Sequence, residues 1–467
     1  MIKPNFFISF IVSLGMSNFL FAQSYHAING SPYSGSTSRF INPASPVNNS
    51  YLWEFSPVSF QVSISSNSLL IDTGAIRVRV GLMNHFIHAN SDIGLINGMI
   101  KLNSKWAISG GIRARFYNHY RTQPVNIVDT TSSLFSFLQK NRTTPYIGGY
   151  ITHNAWLEGD LNVSTLLFAN DEGRLSAGIT LQLMKGISGA YLNLKQITYQ
   201  EFTNGIDTSY FFTGGSGRFG YSAIYEPGTT ISNFNDVMSK SLSSIGTSLG
   251  IEYIRYNSQS DDKNENKLLN YKWKLGISIL DIGANKYQYA TPSRNFSDLK
   301  PSITDAMIDN KTNGAGNLPD LIDSVSTIFN TNTQLTGNFS ISLPTKLILN
   351  FDKQITGHFY LNALFNLNLL SDESPLKWRT REINQISITP RWENDWLGIY
   401  LPLQLTAQGE TWMGAAIKVG PFTIGVHNFE FLTPLLKMPN VKGGGYLLFS
   451  IHPFNRNKKL NNFNCWQ

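Results

Sequence analysis

Few residues of this chain have the types and the spacing that catalysis or metal binding requires. Gly246, Ser248 and Gly250 match the G-x-S-x-G pattern of a nucleophile elbow, which needs a sharp strand-to-helix turn. Here the pattern runs into alternating apolar residues, so we interpret it as the glycine-rich start of a strand. His85 and His88 have a spacing that would suit a metal on a helix, but no third ligand lies near them in the sequence. We therefore predict no catalytic residue, no metal site and no cofactor.

Six basic residues that alternate with apolar neighbours are the strongest candidates for a functional interior. In an extended strand, such alternation points the basic and the apolar side chains to opposite faces. If the apolar face meets lipid, the basic groups point into a lumen, since a charge facing lipid near the midplane costs about 2–4 kcal/mol. The candidate lumenal residues are Arg77, Arg79, Arg113, Arg115, Lys272 and Lys274.

This basic set supports two interpretations of the interior. An open lumen lined by such a cluster would favour anions, as basic pores do. A plugged lumen would instead pair the cluster with carboxylates at inward positions, and we favour this second interpretation. The carboxylates at such positions are Glu158, Asp160, Glu252, Asp352 and Glu393.

A proline beside an arginine and a tryptophan, Pro390, Arg391 and Trp392, also has two interpretations. Proline in a sheet is usually confined to edges or bulges, and a bulge here would aim Arg391 inward. We favour the other interpretation, in which Trp392 anchors the end of a strand at a membrane interface.

Charge is scarce in this chain, and that excludes several classes of protein. Its 467 residues carry 37 Lys and Arg against 30 Asp and Glu, and only 14% are charged, compared with about 25% in soluble domains. After the first 22 residues, no apolar run approaches the roughly 18 residues of a spanning helix. A helical membrane protein, a coiled coil, a collagen and a nucleic-acid-binding protein are therefore not expected. The lone cysteine, Cys465, excludes a disulfide framework.

The first residues of the chain predict export. Lys3 precedes a mostly apolar stretch, and Ala22 supplies the small residue that signal peptidases require. We predict four segments: a signal peptide over residues 1–22, an N-terminal segment and candidate lumenal plug over 23–50, a barrel over 51–454, and a short basic tail over 455–467.

Alternation with period two dominates the rest of the chain and predicts strands. It is clearest where Leu175, Ala177 and Ile179 alternate with small or polar residues. The alternating runs are about 8–12 residues long, which suits tilted strands that cross a bilayer. A soluble sandwich would also alternate, but its strands are shorter and its polar faces carry more charge. We therefore predict an all-β fold: a transmembrane antiparallel β-barrel of about 14 strands with long extracellular loops.

Several stretches in a fixed order resemble a known family. Phe40 to Ala44 resembles the NPA segment that opens fatty-acid-transporter-type barrels. Five later stretches together resemble a Bacteroidetes family of outer-membrane β-barrels of unknown function, and this resemblance covers most of residues 25–454. They are LQLMKGISGAYLNL from Leu181, WKLGISILDIG from Trp273, SLPTKLILN from Ser342, ITPRWENDWLGIYLP from Ile388 and GAAIKVGPFTIG from Gly414. The resemblance implies a location in the outer membrane and a barrel fold, but no functional residue.

The expected function follows from this fold-level analogy. We predict an integral outer-membrane barrel, not an enzyme, that binds or passes a small hydrophobic or amphipathic solute. The first alternative is a non-transporting scaffold barrel of a cell-envelope or secretion assembly. The second and less supported alternative is an outer-membrane hydrolase with a Ser/His pair in the barrel wall. The expected partners are outer-membrane lipid and cell-envelope proteins, and no nucleic acid.

Overall fold

Strands make up most of this chain because alternating apolar and small polar residues suit an extended backbone with two different faces. The signal peptide predicted over 1–22 and the basic tail predicted over 455–467 lie outside the described part of the chain. The computed structural model describes residues 26–72, 75–127, 133–205, 207–225, 234–257, 268–312, 315, 318–370, 378–432 and 440–453.

Fourteen strands form one closed antiparallel sheet. Each strand pairs with the next in chain order, and the last returns to pair with the first. The strands are β1 (Trp53–Ser66), β2 (Gly81–Lys101), β3 (Trp106–Ile127), β4 (Ile147–Ala169), β5 (Gly173–Asn204), β6 (Ser243–Tyr256), β7 (Tyr271–Gln288), β8 (Lys346–Thr356), β9 (Phe359–Asn368), β10 (Gln385–Glu393), β11 (Leu397–Tyr400 and Leu403–Thr406), β12 (Thr411–Met413 and Ala415–Val419), β13 (Phe422–Val426) and β14 (Val441–Gly443 and Gly445–Ile451). The predicted all-β barrel of about 14 strands is confirmed.

The outer face of the barrel is apolar and the inner face is polar, the inverse of a soluble protein. On β6, Leu249 and Ile251 are 44% and 48% exposed, whereas Ser248 is 4% exposed. On β7, Ile277 is 39% exposed and its neighbour Ser278 is 2% exposed. An apolar outer face of this kind suits contact with lipid, because lipid offers no hydrogen bonds to polar groups.

The two ends of the barrel differ in the length of their connections. At one end, the short-turn end, connections such as 357–358 and 420–421 contain only a few residues. Trp53, Trp106 and Trp396 are exposed at this end, where an aromatic girdle of a membrane barrel would lie. The two ends therefore differ: the short-turn end has exposed tryptophans, and the other end has most of the helices and strands outside the barrel wall.

That other end, the long-loop end, carries short helices and additional strands. Its helices are α1 (Leu134–Lys140), α2 (Phe234–Lys240), α3 (Asp305–Thr312) and α4 (Leu318–Ser326), and its extra strands are Leu69–Asp72, Ala75–Val78, Asp207–Tyr221, Arg294–Leu299, Ile303–Thr304, Phe329–Gln334, Asn338–Ser342 and Trp378–Arg379. Part of this end has an apolar core of its own, to which Phe296, Ile308 and Phe329 contribute. Within the described residues, no α-helix combines the length and the apolar character of a membrane span.

The segment before the first strand lies inside the barrel rather than in its wall. Residues 26–50 form three short 3-10 helices, His26–Ile28, Gly35–Phe40 and Ser45–Asn48. Ala27 and Ala44 are fully buried, although the segment has no part in the sheet. We call residues 26–50 the plug.

The lipid-facing assignment predicts a depth-dependent response to charge. Ile277→Arg, near the middle of β7, should lower the free energy of unfolding by about 2–4 kcal/mol, and Ile355→Arg, near the short-turn end of β8, by about 0–1 kcal/mol. Unfolding in denaturant after reconstitution into lipid measures both values. Ile355 is the matched control, since it is 55% exposed. Equal and small effects would mean that the outer face meets water.

Candidate functional site

The plug occupies the lumen toward the short-turn end and is held there by side chains. Among the described residues it forms no β-ladder with the wall. Its Arg39 is 1% exposed, donates from Nε to Asp160 Oδ1 at 2.6 Å, and donates from Nη2 to Asn97 Oδ1 at 2.7 Å. Ser45 Oγ donates to Glu252 Oε2 at 2.8 Å. The carboxylates expected at inward positions of β4 and β6 therefore anchor the plug.

Residues Asn42 to Ala44 of the plug rest on wall positions that have no side chain. Asn42 Nδ2 donates to the carbonyl oxygen of Ile251 at 2.8 Å. A Cβ atom on Gly178 would lie 2.0 Å from the Pro43 carbonyl oxygen, and one on Gly250 would lie 2.1 Å from Asn42 Oδ1. Contacts so short do not occur in proteins, so these two glycines let the plug approach the wall backbone.

The same contacts explain the G-x-S-x-G pattern. Ser248 lies within strand β6, as predicted, and no strand-to-helix turn exposes it. Its Oγ accepts the backbone N–H of Asp281 at 3.0 Å, and Gly250 provides space for Asn42. The pattern therefore serves the docking of the plug, and it offers no support for a hydrolase.

The two histidines with metal-like spacing have separate surroundings. His85 Nε2 lies 3.1 Å from the carbonyl oxygen of Val125, whereas His88 Nδ1 lies 3.0 Å from Nδ1 of His119. Both belong to strand β2, in which residues three apart point to opposite faces. Within the described residues, no group of three or more His, Cys, Asp or Glu could hold a metal ion.

Above the plug, two buried arginines of β3 are surrounded by carboxylates. Arg115 Nη2 lies 2.9 Å from Asp281 Oδ2, and its Nε lies 3.2 Å from Asp92 Oδ1. Arg113 Nε donates to Glu158 Oε1 at 2.9 Å. We call Asp92, Arg113, Arg115, Glu158 and Asp281 the ion network. Both arginines are paired, as the plugged interpretation predicted, and neither faces an open aqueous path.

The ion network extends to a segment that enters the lumen between β9 and β10. Glu382 of that segment accepts from Lys346 Nζ at 2.5 Å and from the Tyr117 hydroxyl at 2.9 Å. Arg115 Nη2 donates to the same Tyr117 hydroxyl at 2.7 Å. Three separate parts of the chain therefore meet at this level of the lumen.

A second group of ion pairs lies beside the first residues of the plug. Arg391 Nη1 lies 2.6 Å from Asp352 Oδ2, and its Nε lies 2.7 Å from Glu393 Oε1. Glu393 also accepts from Ser31 Oγ of the plug at 2.7 Å, and Lys274 Nζ donates to the carbonyl oxygen of Gly30. Arg391 thus faces inward, on a strand that has no bulge at this position. The interpretation that we favoured, an interface anchor at Trp392, did not predict this lumenal role of Arg391.

Aromatic and cationic groups join the plug to the last strands. The ring of Tyr51, just after the plug, stacks on His452 with 3.9 Å between ring centroids, and its hydroxyl accepts from Lys418 Nζ at 2.9 Å. Burial raises the pKa of Tyr51, so its hydroxyl stays protonated. Burial, with a smaller effect of Lys418, lowers the pKa of His452 to about 4, so this ring is neutral near pH 7.

The structure brings only half of the six predicted basic residues into the lumen. Arg113, Arg115 and Lys274 are buried there. Lys272 is exposed, contrary to prediction, because the pairing of β7 with β6 shifts register between Tyr271 and Trp273 and turns Tyr271 inward instead.

Arg77 and Arg79 are the other two corrections, since neither lies on a wall strand. Ala75–Val78 pairs with Leu69–Asp72 in a separate two-stranded sheet at the long-loop end. Arg77 is exposed on this hairpin. Arg79 follows it, and its Nη1 donates to Asn440 Oδ1 at 2.5 Å. Local alternation is the same in a barrel wall and in a hairpin outside it, so it could not distinguish the two.

Cavities remain in the half of the lumen toward the long-loop end. One of about 600 Å³ is lined by residues that include Phe86, His88 and Leu369, and another of about 820 Å³ is lined by residues that include Tyr150 and Asn193. His119 lines both. Between the plug and the ion network, only about 60 Å³ is left. Among the described residues, the lumen therefore holds open space toward the long-loop end and is filled at the plug.

Comparison with known proteins gives a family and a set of distant structures. The model of DUF5723, described as a family of unknown function, matches residues 58–427. No match was found among curated proteins. The structures include the toluene transporter TbuX of Ralstonia pickettii, at 11% identity over 93% of this chain and 98% of that chain, with a TM-score of 0.42.

Two further structures are similar at the same level. The toluene transporter TodX of Pseudomonas putida is 10% identical over 92% of this chain and 98% of that chain, with a TM-score of 0.40. A Pseudomonas aeruginosa FadL homologue is 12% identical over 93% of this chain and 98% of that chain, with a TM-score of 0.42. At such identities and TM-scores, the likeness gives no argument about a substrate.

The glycine contacts predict that a single methyl group displaces the plug. Gly178→Ala should leave the barrel folded but displace the plug, because the new Cβ clashes with the Pro43 carbonyl oxygen. If this clash costs more than about 1.4 kcal/mol, the population of molecules with a displaced plug rises at least tenfold. Limited proteolysis within residues 26–50 measures that population. Gly159→Ala is the control, since a Cβ there meets no atom within 4 Å. Equal cleavage in both variants would contradict the docking described here.

The ion network predicts a loss of stability when its arginines are neutralised. Replacing Arg113 and Arg115 together by Gln leaves buried carboxylates without partners, and it should lower the free energy of unfolding by about 3–5 kcal/mol. Arg255→Gln, which removes an exposed pair with Glu172, should leave the midpoint nearly unchanged. Denaturant midpoints measure both changes. An unchanged midpoint in the double variant would contradict the paired arrangement.

Proposed function

The chain belongs to DUF5723, a family of unknown function, and we propose that it is an outer-membrane barrel that admits a small hydrophobic or amphipathic solute. The solute enters at the long-loop end, and its passage requires the plug to move. The family match over residues 58–427 confirms the expectation, drawn from the ordered stretches, that the chain belongs to a family of unknown function.

The outer membrane is the proposed location because of the outer face of the barrel. Apolar side chains such as Leu249, Ile251 and Ile277 alternate with buried polar ones along the strands. Exposed tryptophans lie at the short-turn end, where a membrane interface would meet them. Lipid is therefore the partner that this surface suits.

An amphipathic solute suits the lumen at the long-loop end. Polar groups such as His119 and Asn193 make up most of the lining of the two cavities there, and Phe86, Leu369 and Tyr150 add apolar and aromatic surface. Pockets that take small organic molecules place polar groups beside apolar walls, and here the polar groups predominate.

The observation that carries the proposal is the way in which the plug is held. Its contacts with the wall come from side chains and single backbone groups, such as Asn42 on Ile251 and Ser45 on Glu252. A neutral hydrogen bond such as that of Asn42 contributes about 0.5–1.5 kcal/mol net, and one to a charged group such as Glu252 contributes about 1.5–3 kcal/mol. The plug can therefore leave without exposing the edge of any strand to lipid, whereas removal of a wall strand would do so.

A cross-link between the plug and the wall tests the proposal. The Cγ of Asn42 lies 3.0 Å from the place of a Cβ on Gly250, so Asn42→Cys with Gly250→Cys brings two thiols within disulfide reach. The native cysteine is removed by Cys465→Ser. In planar bilayers, we expect conductance steps from the reduced protein, none after oxidation, and their return after reduction. Because a Cβ on Gly250 would also lie 2.8 Å from Pro43 Cδ, the chain that carries Cys465→Ser alone is the control and must show the same steps in both conditions.

Two results would overturn the proposal. Equal conductance of the oxidised and the reduced protein would mean that the plug does not control passage. No conductance in either state, with the protein folded and inserted, would favour the scaffold alternative. That alternative draws on the long-loop end, whose apolar core of Phe296, Ile308 and Phe329 builds a surface outside the barrel wall.

A further inference from the structure

A stack of aromatic rings crosses the lumen above the ion network. Along β4, the residues Tyr150, Asn154 and Glu158 follow one another from the long-loop end inward, and Glu158 belongs to the ion network. Further rings lie near the level of Tyr150 and Asn154. Tyr191 comes from β5, Tyr287 from β7, and Tyr289 and Phe339 from the connection between β7 and β8. We call Tyr150, Tyr191, Tyr287, Tyr289 and Phe339 the aromatic collar.

The ring inside this collar does not come from the barrel wall. Trp378 belongs to the segment between β9 and β10, and it is 4% exposed. With its neighbour it forms a two-residue parallel pairing to Ile341 and Ser342. Beyond it, Thr380 donates its backbone N–H to Ser342 and accepts from Asn154 Nδ2 at 2.6 Å. A few hydrogen bonds thus hold a connecting segment, rather than a wall strand, inside the lumen.

The fit of Trp378 in the collar is that of a flat molecule between two faces. Its ring centroid lies 3.5 Å from that of Tyr191 with an interplanar angle of 13°, and 6.0 Å from that of Tyr150 with an angle of 19°. Aromatic pairs at separations such as that of Tyr150 and Trp378 are worth about 0.5–1.5 kcal/mol beyond the burial of area. Any flat aromatic ring of similar size would gain the same contacts.

The collar offers ring faces to its occupant, and its hydroxyl groups have partners of their own. The hydroxyl oxygens of Tyr191 and Tyr289 lie 2.7 Å apart. The hydroxyl of Tyr287 donates to the carbonyl oxygen of Ala155 at 3.1 Å. A charged occupant would lose its hydration here without gaining an ion pair from these residues, so the collar suits a neutral ring.

We propose that the aromatic collar is a binding site for a neutral, flat aromatic ring of about the size of an indole, and that Trp378 occupies it until such a ring displaces it. This rests on the proposed function, since the ring would belong to the solute that enters at the long-loop end. Tyr150 lines the cavity of about 820 Å³ at that end, so a solute there already touches one residue of the collar.

Indole is the probe, and the full chain labelled with 5-fluorotryptophan is the sample. The fluorine resonance of Trp378 is assigned by its absence in Trp378→Phe. We expect this resonance to move and saturate as indole is added. Trp378→Ala should bind indole about tenfold more tightly or better, because no tryptophan must be displaced first.

A second substitution separates the site from a cavity created by mutation. In the Trp378→Ala chain, Tyr191→Leu should abolish indole binding. Tyr360→Leu should preserve it, since Tyr360 is equally buried but packs beside Tyr271 near the short-turn end. If Trp378→Ala takes up indole while the Trp378 resonance of the natural chain never moves, the slot is only a cavity made by truncation, and the proposal fails. It also fails if neither chain binds.

The failure of this site and the failure of the proposed function are distinguishable. Indole binding is measured without transport, and the cross-link between residues 42 and 250 does not involve the collar. If indole binds but conductance is the same with and without the cross-link, the binding site is supported and the gating role of the plug is not. If conductance depends on the cross-link but indole never binds, the gating role of the plug is supported and the binding site is not.

Discussion

In lipid, every backbone N–H and C=O must find its partner within the protein, and the rest of this structure follows from that constraint. A sheet satisfies it only when its last strand pairs with its first, as Phe60 of β1 pairs with Leu447 of β14. Closure then separates two surfaces with opposite requirements. The outer surface must be apolar, and the inner one encloses a lumen in which polar groups need partners.

The interior meets this second requirement with charges in matched sets. Arg39, Arg115 and Arg391 are each at most 2% exposed, and each lies beside at least one carboxylate. A buried charge without a partner costs several kcal/mol, so these sets hold one another in place. The plug supplies one of these charges, Arg39, and it is therefore part of the electrostatic balance of the lumen as well as a steric block.

Three layers succeed one another along the lumen: the cavities with the aromatic collar, the ion network, and the plug. The Trp378 segment, which lies inside the collar, and the plug are not part of the fourteen wall strands. The ion network links both segments to the barrel. On the side of the Trp378 segment, the link is Glu382, which follows Trp378 by four residues. On the side of the plug, the link is Asp160, which pairs with Arg39 and follows Glu158 by two residues. Movement of either segment therefore changes the surroundings of the same buried charges.

The sequence by itself determined the fold class, an approximate number of strands and the inward faces of Arg113 and Arg115, because a period of two is a local property of the chain. It did not determine the outward turn of Lys272, which depends on a register shift against a neighbouring strand, or the hairpin of Arg77 and Arg79.

The partners within the lumen were also beyond the sequence. Arg115 and Asp281 are 166 residues apart, and the Trp378 segment has no periodicity that marks it as lumenal. The sequence suggested residues 23–50 as a candidate plug, but not the wall residues that this segment contacts. Only the closed barrel brings such distant groups together, since closure alone decides which inward faces oppose one another across the lumen.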